Sequence, residues 1–313
     1  MSNPSKPNPA ESTPAGIDPE TTARGTALLD AAARDVEHWL DAWQGWDLLP
    51  EHLAEAGRYG VLSGGKRLRP ALVLLACEAC GGDRAAALPA AASVELVHCF
   101  SLVHDDLPAL DDDALRRGQP TLHVHCGEAM AILAGDLLLT QSFQILAHSH
   151  WPADVGAALV SLLADRTVAM VAGQVYDTLG GVPEDLDPTA QLTLIHRNKT
   201  GSLMQCAVAM GARVAQADEE QTAALDRFGD AIGIMYQIVD DLLDITQSEA
   251  HIGKAVGKDA LRGHPTWPGL LGAEASLSEV QRLLAEAIAA TDTFGTAGTD
   301  LRDLAALLAV RTR

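Results

Sequence analysis

The chain has 313 residues, of which 48% are hydrophobic and 4% aromatic, and its formal net charge is −20. So acidic a protein lacks the basic face with which nucleic-acid-binding proteins displace counterions, and we expect no nucleic-acid partner. Alanine and leucine are abundant while β-branched and aromatic residues are sparse, which favours helices. Five cysteines, an odd number in a long chain, indicate free thiols and a reducing, cytoplasmic location. We therefore expect an all-α protein.

The chain divides into a tail and one domain. Residues 1–22 are rich in Pro, Ser, Asn and Glu, which predicts a disordered N-terminal tail rather than a secretion signal. Residues 23–313 show no alternation of strands and helices and no internal linker, which predicts a single large helical domain around a central cavity. No apolar stretch is expected to reach the length of a membrane span, so we predict no membrane partner.

Helical periodicity and helix-ending residues give the predicted elements in chain order. Glycine-rich breaks at Ser63–Gly65 and Gly81–Gly82, and Pro108 further along, separate the early helices. The predicted helices span approximately Thr26–Trp46, Leu49–Tyr59, Lys66–Cys80, Ala90–Asp106, Glu128–His148, Val155–Tyr176, Pro188–Ala215, Glu219–Ile245, Ser278–Thr291 and Asp300–Val310.

An aspartate-rich segment, DDLPALDDD, occupies residues 105–113 directly after an apolar helix. Leu107 precedes Pro108 and is biased away from helical angles, so the helix is predicted to end near Asp106. A helix C-terminus is partially negative, and several carboxylates there are unfavourable unless cations neutralise them. Magnesium prefers carboxylate oxygens combined with substrate phosphates. The segment therefore predicts a magnesium site, with a solvated acidic turn as the alternative.

A second acidic group lies at the end of another apolar run. Asp240 and Asp244 are four residues apart, so they share one helix face, and Asp241 lies beside them. Like charges in this spacing repel each other, which again favours a bound cation. Two such groups, each next to a buried helix, make the metal interpretation stronger than either one alone.

Scarce basic residues cluster near these acidic segments. Lys66 and Arg69 lie on one face at a predicted helix start, after Gly64-Gly65, and helix N-termini favour anions. Residues 60–66 also match the spacing of a nucleotide P-loop, but Arg67 stands where that motif needs Ser or Thr, and no strand precedes it. Further cations follow the acidic segments: Arg116, Arg117, Lys199, Lys254 and Lys258. This arrangement suits a site that holds metal ions and diphosphate together.

These motifs together resemble those of the trans-polyprenyl diphosphate synthases. The resemblance runs from about Leu29 to the C-terminus and is closest to the bacterial short-chain branch, of which farnesyl diphosphate synthase is the nearest type. It rests on GGKRLRP at 64–70, DDLPALDDDALRRGQPTLH at 105–123, GQVYD at 173–177, HRNKTG at 196–201 and YQIVDDLLD at 236–244. It implies a homodimer that joins isopentenyl diphosphate head to tail to dimethylallyl or geranyl diphosphate, with Mg²⁺ as cofactor.

The resemblance also implies roles for individual residues. The implied magnesium ligands are Asp105, Asp111, Asp240 and Asp244, assisted by Asp106 and Asp241. The implied contacts of the allylic diphosphate are Arg116, Lys199, Gln237 and Lys254, and Thr200 with Gln237 would face the allylic cation. The implied contacts of isopentenyl diphosphate are Gly65, Lys66, Arg69, His98 and Arg117. Catalysis would therefore involve Asp105, Asp111, Lys199, Thr200, Gln237 and Asp240.

Phe100 is the candidate determinant of product length. It lies five residues before Asp105, which is about 7.5 Å along a helix axis. In the family that the chain resembles, an aromatic residue at this position closes the floor of the cavity and limits the product to fifteen carbons. Phe100 could instead be ordinary core packing, and Met130, Ile132 and Leu133 could also shape the cavity floor. A ten-carbon (geranyl) or twenty-carbon (geranylgeranyl) product therefore stays open.

One departure and two alternatives accompany this interpretation. His264 stands in GHPTWP where the family usually carries a lysine, so a titratable group replaces a full charge. A class I terpene cyclase would also use aspartate clusters, but it has no second diphosphate for Lys66 and Arg69 to bind. A non-catalytic subunit would usually lack one of the two aspartate motifs, and both are present here.

Overall fold

The computed structural model describes residues 17–250 and 265–311. In the first of these ranges it describes side chains only through residue 245. Nearly all of this part of the chain is helical, which confirms the all-α prediction. The helices are α1 (Pro19–Asp41), α2 (Glu51–Leu62), α3 (Leu68–Ala79), α4 (Arg84–Asp105), α5 (Leu122–Cys126), α6 (Glu128–His148), α7 (Ala153–Leu179), α8 (Pro188–His196), α9 (Ser202–Val214), α10 (Glu219–Ala250), α11 (Trp267–Leu271), α12 (Ala273–Ala290) and α13 (Thr299–Val310).

Short irregular elements join these helices. Strands β1 (Leu115–Arg116) and β2 (Gln119–Pro120) pair antiparallel in a hairpin after the first acidic segment. The segments Gln44–Leu48 and Asp292–Gly298 are 3₁₀ turns, and Arg197–Gly201 is a π-helical turn between α8 and α9.

Two helices form the centre of the bundle. Helix α4 packs against α3, α6 and α9, and α10 packs against α9, α12 and α13. Fully buried Leu72, Leu96, Leu138 and Phe228 come from four different helices and join in one core. Such helices are apolar on most faces because each one is enclosed by others. This packing brings the C-terminal end of α4 and the middle of α10, which carry the two acidic groups, to the same site.

Helix α1 begins earlier than the sequence predicts. Its first residue is Pro19, and the Asp18 carboxylate accepts a hydrogen bond from the Glu20 backbone N–H at 3.1 Å. Asp at the N-cap followed by Pro at the first helical position is a strong helix start. The boundary of the predicted tail at residue 22 is therefore wrong by four residues at its C-terminal end, and residues 1–16 lie outside the described part.

Two further helices differ from prediction for local reasons. Helix α4 begins at Arg84 instead of Ala90, because Asp83 caps the Ala85 N–H at 3.1 Å and the helix accepts Pro89 in its second turn. The predicted helix Pro188–Ala215 is divided by the π-helical turn. π-helical turns occur frequently at functional sites.

Three helices are long and apolar enough to cross a bilayer by length and composition: α4, α6 and α7. The expectation that no apolar segment reaches this length is therefore wrong. The most apolar stretch of α4 is 61% buried within the bundle, which explains its composition. The corresponding stretch of α7 is only 28% buried, and Val168 and Leu179 on this helix are 70% and 78% exposed. Helix α7 therefore presents an apolar face that the single chain does not cover.

Candidate active site

The segment after α4 folds back on the helix end. The Asp111 backbone N–H donates to the Asp105 carbonyl oxygen at 2.8 Å, and the Asp113 N–H donates to the Asp106 carbonyl at 3.3 Å. These turns bring the Asp105 and Asp111 carboxylates into electrostatic contact. Burial raises the pKa of Asp105 to about 6; the Lys199 ammonium opposes this shift and Asp111 adds to it. A buried carboxyl is costly to ionise, and a bound cation stabilises its charged form.

Asp106 and Arg116 bind each other. The Arg116 Nε lies 2.9 Å from both carboxylate oxygens of Asp106, and its Nη2 donates to Oδ1 at 2.6 Å. The Asp106 side chain is buried, and that of Arg116 is about one-third exposed. The pair ties the end of α4 to strand β1. The role of Asp106 at the metal and that of Arg116 at the allylic diphosphate stay predictions. For either role, the Asp106 oxygens or the Arg116 N–H groups would have to contact the ligand as well as each other.

The second acidic group contains a partner that the sequence analysis missed. The Arg311 Nη2 donates to the Asp240 Oδ1 at 2.6 Å, and its guanidinium lies 3.5 Å from the centre of the Tyr236 ring. Burial raises the pKa of Asp240, and Arg311 opposes this shift. Asp244 lies one turn further along α10 and is exposed. No local sequence pattern links Arg311 to Asp240, since they lie in different helical regions of the chain.

Asp241 points away from Asp240 into a buried hydrogen-bond network. Its Oδ2 accepts from the Trp267 backbone N–H at 2.9 Å, and its Oδ1 accepts from the Gln237 Nε2 at 3.2 Å. The Gln237 Oε1 in turn accepts from the Thr200 hydroxyl at 3.0 Å. Asp241 therefore orients Gln237 and Thr200, the two residues predicted to face the allylic cation.

The π-helical turn presents Lys199 beside the first acidic group. The Lys199 ammonium donates to the Asp177 carboxylate on α7. Gly173, one turn earlier on α7, lies directly against the Lys199 backbone, and a side chain there would overlap it. Asp177 belongs to the GQVYD motif, and its ion pair with Lys199 is a contact that sequence analysis did not assign.

The glycine-rich turn before α3 packs against the hairpin. The Arg117 guanidinium donates to the Gly64 carbonyl oxygen, and a Cβ added at Gly65 would overlap that guanidinium. Gly64 and Gly65 have φ values of +85° and +132°, which glycine adopts readily. The predicted neighbours Gly65 and Arg117 are therefore in contact. Lys66 borders a cavity between α1 and α13 that Arg311 also lines.

Arg69 and His98 lie deeper in the site. Arg69 is partly buried, and its enclosed Nε has no hydrogen-bond partner within the residues that the structure describes. Burial lowers the pKa of His98 well below its usual range, and Arg69 and Arg117 lower it further, so the imidazole is neutral. A neutral histidine near these guanidinium groups can donate a hydrogen bond to an anion without adding a further charge.

Two cavities meet at Lys199. A polar cavity of about 260 Å³ is lined by Asp111, Asp177, Gln237 and Asp241. A second cavity, also about 260 Å³, extends from Asp105 to an apolar end formed by Phe100, His104, Met170 and Val171. The central cavity predicted from sequence is thus an ionic chamber joined to an apolar tunnel. Phe100 lines the tunnel, and its predicted role in closing the cavity stays a prediction. Ile132 and Leu133 are exposed.

Within residues 17–250 and 265–311, no three His, Cys, Asp or Glu side chains form a preassembled metal site. Magnesium does not require one, since it retains waters and is usually held by one or two carboxylates plus substrate phosphates. Asp105, Asp111 and Asp240 have the donor chemistry for it. Lys254, Lys258 and His264 lie outside the described residues, so their predicted roles are not tested.

Comparison with known proteins assigns the chain to a family. A family model described as polyprenyl synthetase matches residues 50–300. The chain belongs to the polyprenyl synthetase family. It is therefore a prenyltransferase, and it condenses isopentenyl diphosphate with an allylic diphosphate. The motifs that carried the resemblance fall inside the matched region and converge on one site.

Individual relatives agree with this assignment. The chain is 45% identical over 227 residues to a farnesyl diphosphate synthase of Geobacillus stearothermophilus, covering 71% of this chain and 76% of the relative. It is 44% identical over 242 residues to geranylgeranyl pyrophosphate synthase 7 of Arabidopsis thaliana, covering 76% and 70%. The crystal structure of an FPP/GFPP synthase from Zymomonas mobilis superposes with a TM-score of 0.78 at 32% identity, covering 91% of this chain and 98% of that one.

Proposed function

We propose that this prenyltransferase is magnesium-dependent and makes the fifteen-carbon farnesyl diphosphate from dimethylallyl or geranyl diphosphate. The identity to a farnesyl and to a geranylgeranyl synthase is nearly equal, so overall similarity does not decide the product. The observation that supports fifteen carbons is the position of Phe100 in the wall of the apolar tunnel that begins at Asp105.

Asp105, Asp111 and Asp240 would hold magnesium at the mouth of the tunnel. Magnesium supplies stabilisation of the negative charge that develops on diphosphate when the allylic C–O bond ionises. The donor set fits, because all three groups are carboxylates. Burial raises the pKa of Asp105 and of Asp240, and a divalent cation compensates the cost of their charged form.

The chain's own residues complete the reaction. Lys199, which lies beside the first acidic group, stabilises the departing diphosphate with its positive charge. The oxygens of Thr200 and Gln237 face the allylic carbons, and Arg69 and His98 bind the diphosphate of isopentenyl diphosphate. The apolar lining of the tunnel offers water no hydrogen-bond partner, which protects the carbocation until the double bond attacks. The proton then leaves to the departed diphosphate, so the reaction needs no separate nucleophile.

We also propose that two copies of the chain pair through α6 and α7. Exposed apolar side chains cluster on these neighbouring helices: Ile132, Leu133, Val168, Val171 and Leu179. Contiguous exposed apolar surface of this kind marks an interaction face. The resemblance to dimeric synthases supports a second copy as the partner.

The test is product analysis with Phe100→Ala and Phe143→Ala. Both phenylalanines are partly buried against the core, but Phe143 does not line the tunnel. With magnesium and isopentenyl diphosphate, wild type and Phe143→Ala should yield fifteen carbons from either starter, while Phe100→Ala should yield twenty or more. Geranylgeranyl diphosphate from the wild type would refute the proposed product but not the reaction class.

A further inference from the structure

We propose that His104 and Gly135 form a layer beside Phe100 in the tunnel wall that determines product length together with Phe100. This inference rests on the proposed function, since it concerns the apolar tunnel of the same site. His104 and Gly135 lie on different helices, α4 and α6, and neither was assigned to product length by the sequence.

His104 is held on two sides. Its Nε2–H donates to the Ile132 carbonyl oxygen on α6 at 3.2 Å. Its ring also packs edge-on against the Phe100 ring, with 4.9 Å between centroids and 73° between planes. Aromatic rings favour this geometry over a face-to-face stack. The imidazole therefore connects Phe100 to the backbone of α6.

Gly135 makes room for this imidazole. A Cβ built on Gly135 would fall well inside van der Waals contact of the His104 Nε2 and Cδ2 atoms, and it would lie 3.1 Å from Cε1. Gly135 is in the interior of a regular helix, where glycine costs stability relative to alanine. The place of its missing side chain is filled by the ring of His104.

The consequence concerns the freedom of Phe100. A partly buried phenylalanine has other staggered rotamers available unless its neighbours block them. The His104 ring occupies the space toward α6 into which Phe100 would turn, and Gly135 with the Ile132 carbonyl keeps the ring there. Phe100 thus limits the tunnel because His104 prevents it from moving aside.

Two substitutions change this layer in opposite directions. His104→Ala removes the ring that packs against Phe100 and opens the tunnel toward α6, so the ratio of twenty-carbon to fifteen-carbon product should rise about tenfold. Gly135→Ala pushes the imidazole toward Phe100 and narrows the tunnel. The share of ten-carbon product formed from dimethylallyl diphosphate should therefore rise.

Matched controls separate this effect from general damage. Gly156→Ala also adds a methyl group to a helix, but only the Leu146 carbonyl lies near it, at 3.9 Å. His148→Ala removes an exposed histidine at the end of α6. Neither control should change the products. Because product ratios are compared at equal conversion, differences in the amount of active enzyme between preparations cancel, and the two controls show whether a merely slower enzyme changes the ratio.

The experiment measures product chain lengths at low conversion for the wild type, the two variants and the two controls, all with magnesium. Opposite shifts in His104→Ala and Gly135→Ala support the inference. Wild-type ratios in both folded variants overturn it while leaving the proposed function intact, and absence of condensation by the wild type overturns the proposed function itself. If His104→Ala does not fold, the ratio in Gly135→Ala decides.

Discussion

Loss of the Glu95 carboxylate should destabilise the turn that carries the cationic groups of the site. The Arg67 Nη1 donates to the Glu95 Oε1 at 2.9 Å, and side-chain exposure is 0% for Arg67 and 1% for Glu95. Arg67 also binds Glu37 at 2.9 Å and the Val61 carbonyl. These contacts hold Arg67 at a φ of +48°, two residues after Gly65 and one residue before α3.

The magnitude follows from burial. Removing one partner of a buried ion pair costs about 3–5 kcal/mol, because the other charge is left without compensation. Glu37 is 39% exposed and can compensate Arg67 only in part. We therefore expect Glu95→Ala to lower the free energy of unfolding by about 3 kcal/mol. Glu95→Gln keeps the shape of the side chain and an acceptor oxygen, so it should lower the free energy of unfolding by only about 1–2 kcal/mol.

Urea unfolding of the full chain at pH 7.5 measures both values. Glu279→Gln is the matched control, since its partner Arg282 is 59% exposed and such surface pairs contribute less than about 1 kcal/mol. The contrary result is that Glu95→Ala lowers the free energy of unfolding no more than the control does, with an unchanged dependence on urea concentration. That result would refute the argument that the Arg67–Glu95 pair holds this turn.

Three other predictions concern the acidic groups and the exposed face. Burial raises the pKa of Asp105 from its ordinary value of 3.8 to about 6. The folded state therefore keeps this proton to higher pH than the unfolded state, and the stability this provides below about pH 4 is lost as the pH rises through about 6. In EDTA at pH 8, urea unfolding should show that Asp105→Asn is more stable than the wild type, and the variant should be inactive when magnesium is restored. Equal stability of the two proteins would contradict the raised pKa of Asp105. Arg311→Leu removes a cation that competes for Asp240, so the magnesium concentration for half-maximal activity should fall about three- to tenfold, and a rise would show that Arg311 assists the metal site. Val168→Glu places a charge on the apolar face of α7 and should convert a dimer to a monomer in light scattering, whereas Asp165→Ala on the same helix should not.

Much of the fold follows from local sequence signals. Helices α6 and α10 begin at the predicted residues because periodic apolar positions and their boundaries agree. The spacing of Asp240 and Asp244 also places them on one helix face without reference to the rest of the chain. The predicted start of α4 at Ala90 is wrong because Pro89 is a helix-breaking signal in the sequence. Packing in the surrounding core overrides this signal in the structure.

The contacts that the sequence did not show are non-local. Arg311 reaches Asp240 only after α13 packs against α10, and Lys199 reaches Asp177 only after the π-helical turn packs against α7. Asp241 looks equivalent to Asp240 in the sequence, but the helix directs it toward the Trp267 backbone. Neighbouring residues on a helix point in different directions, so a run of aspartates combines a candidate ligand with a structural residue.

Diphosphate release with geranyl diphosphate and magnesium, measured with and without isopentenyl diphosphate, tests the central claim most directly. A prenyltransferase with both diphosphate sites should release diphosphate rapidly only when isopentenyl diphosphate is present, in equal amounts with a fifteen-carbon product. Equal release from geranyl diphosphate alone would contradict the account and favour a cyclase.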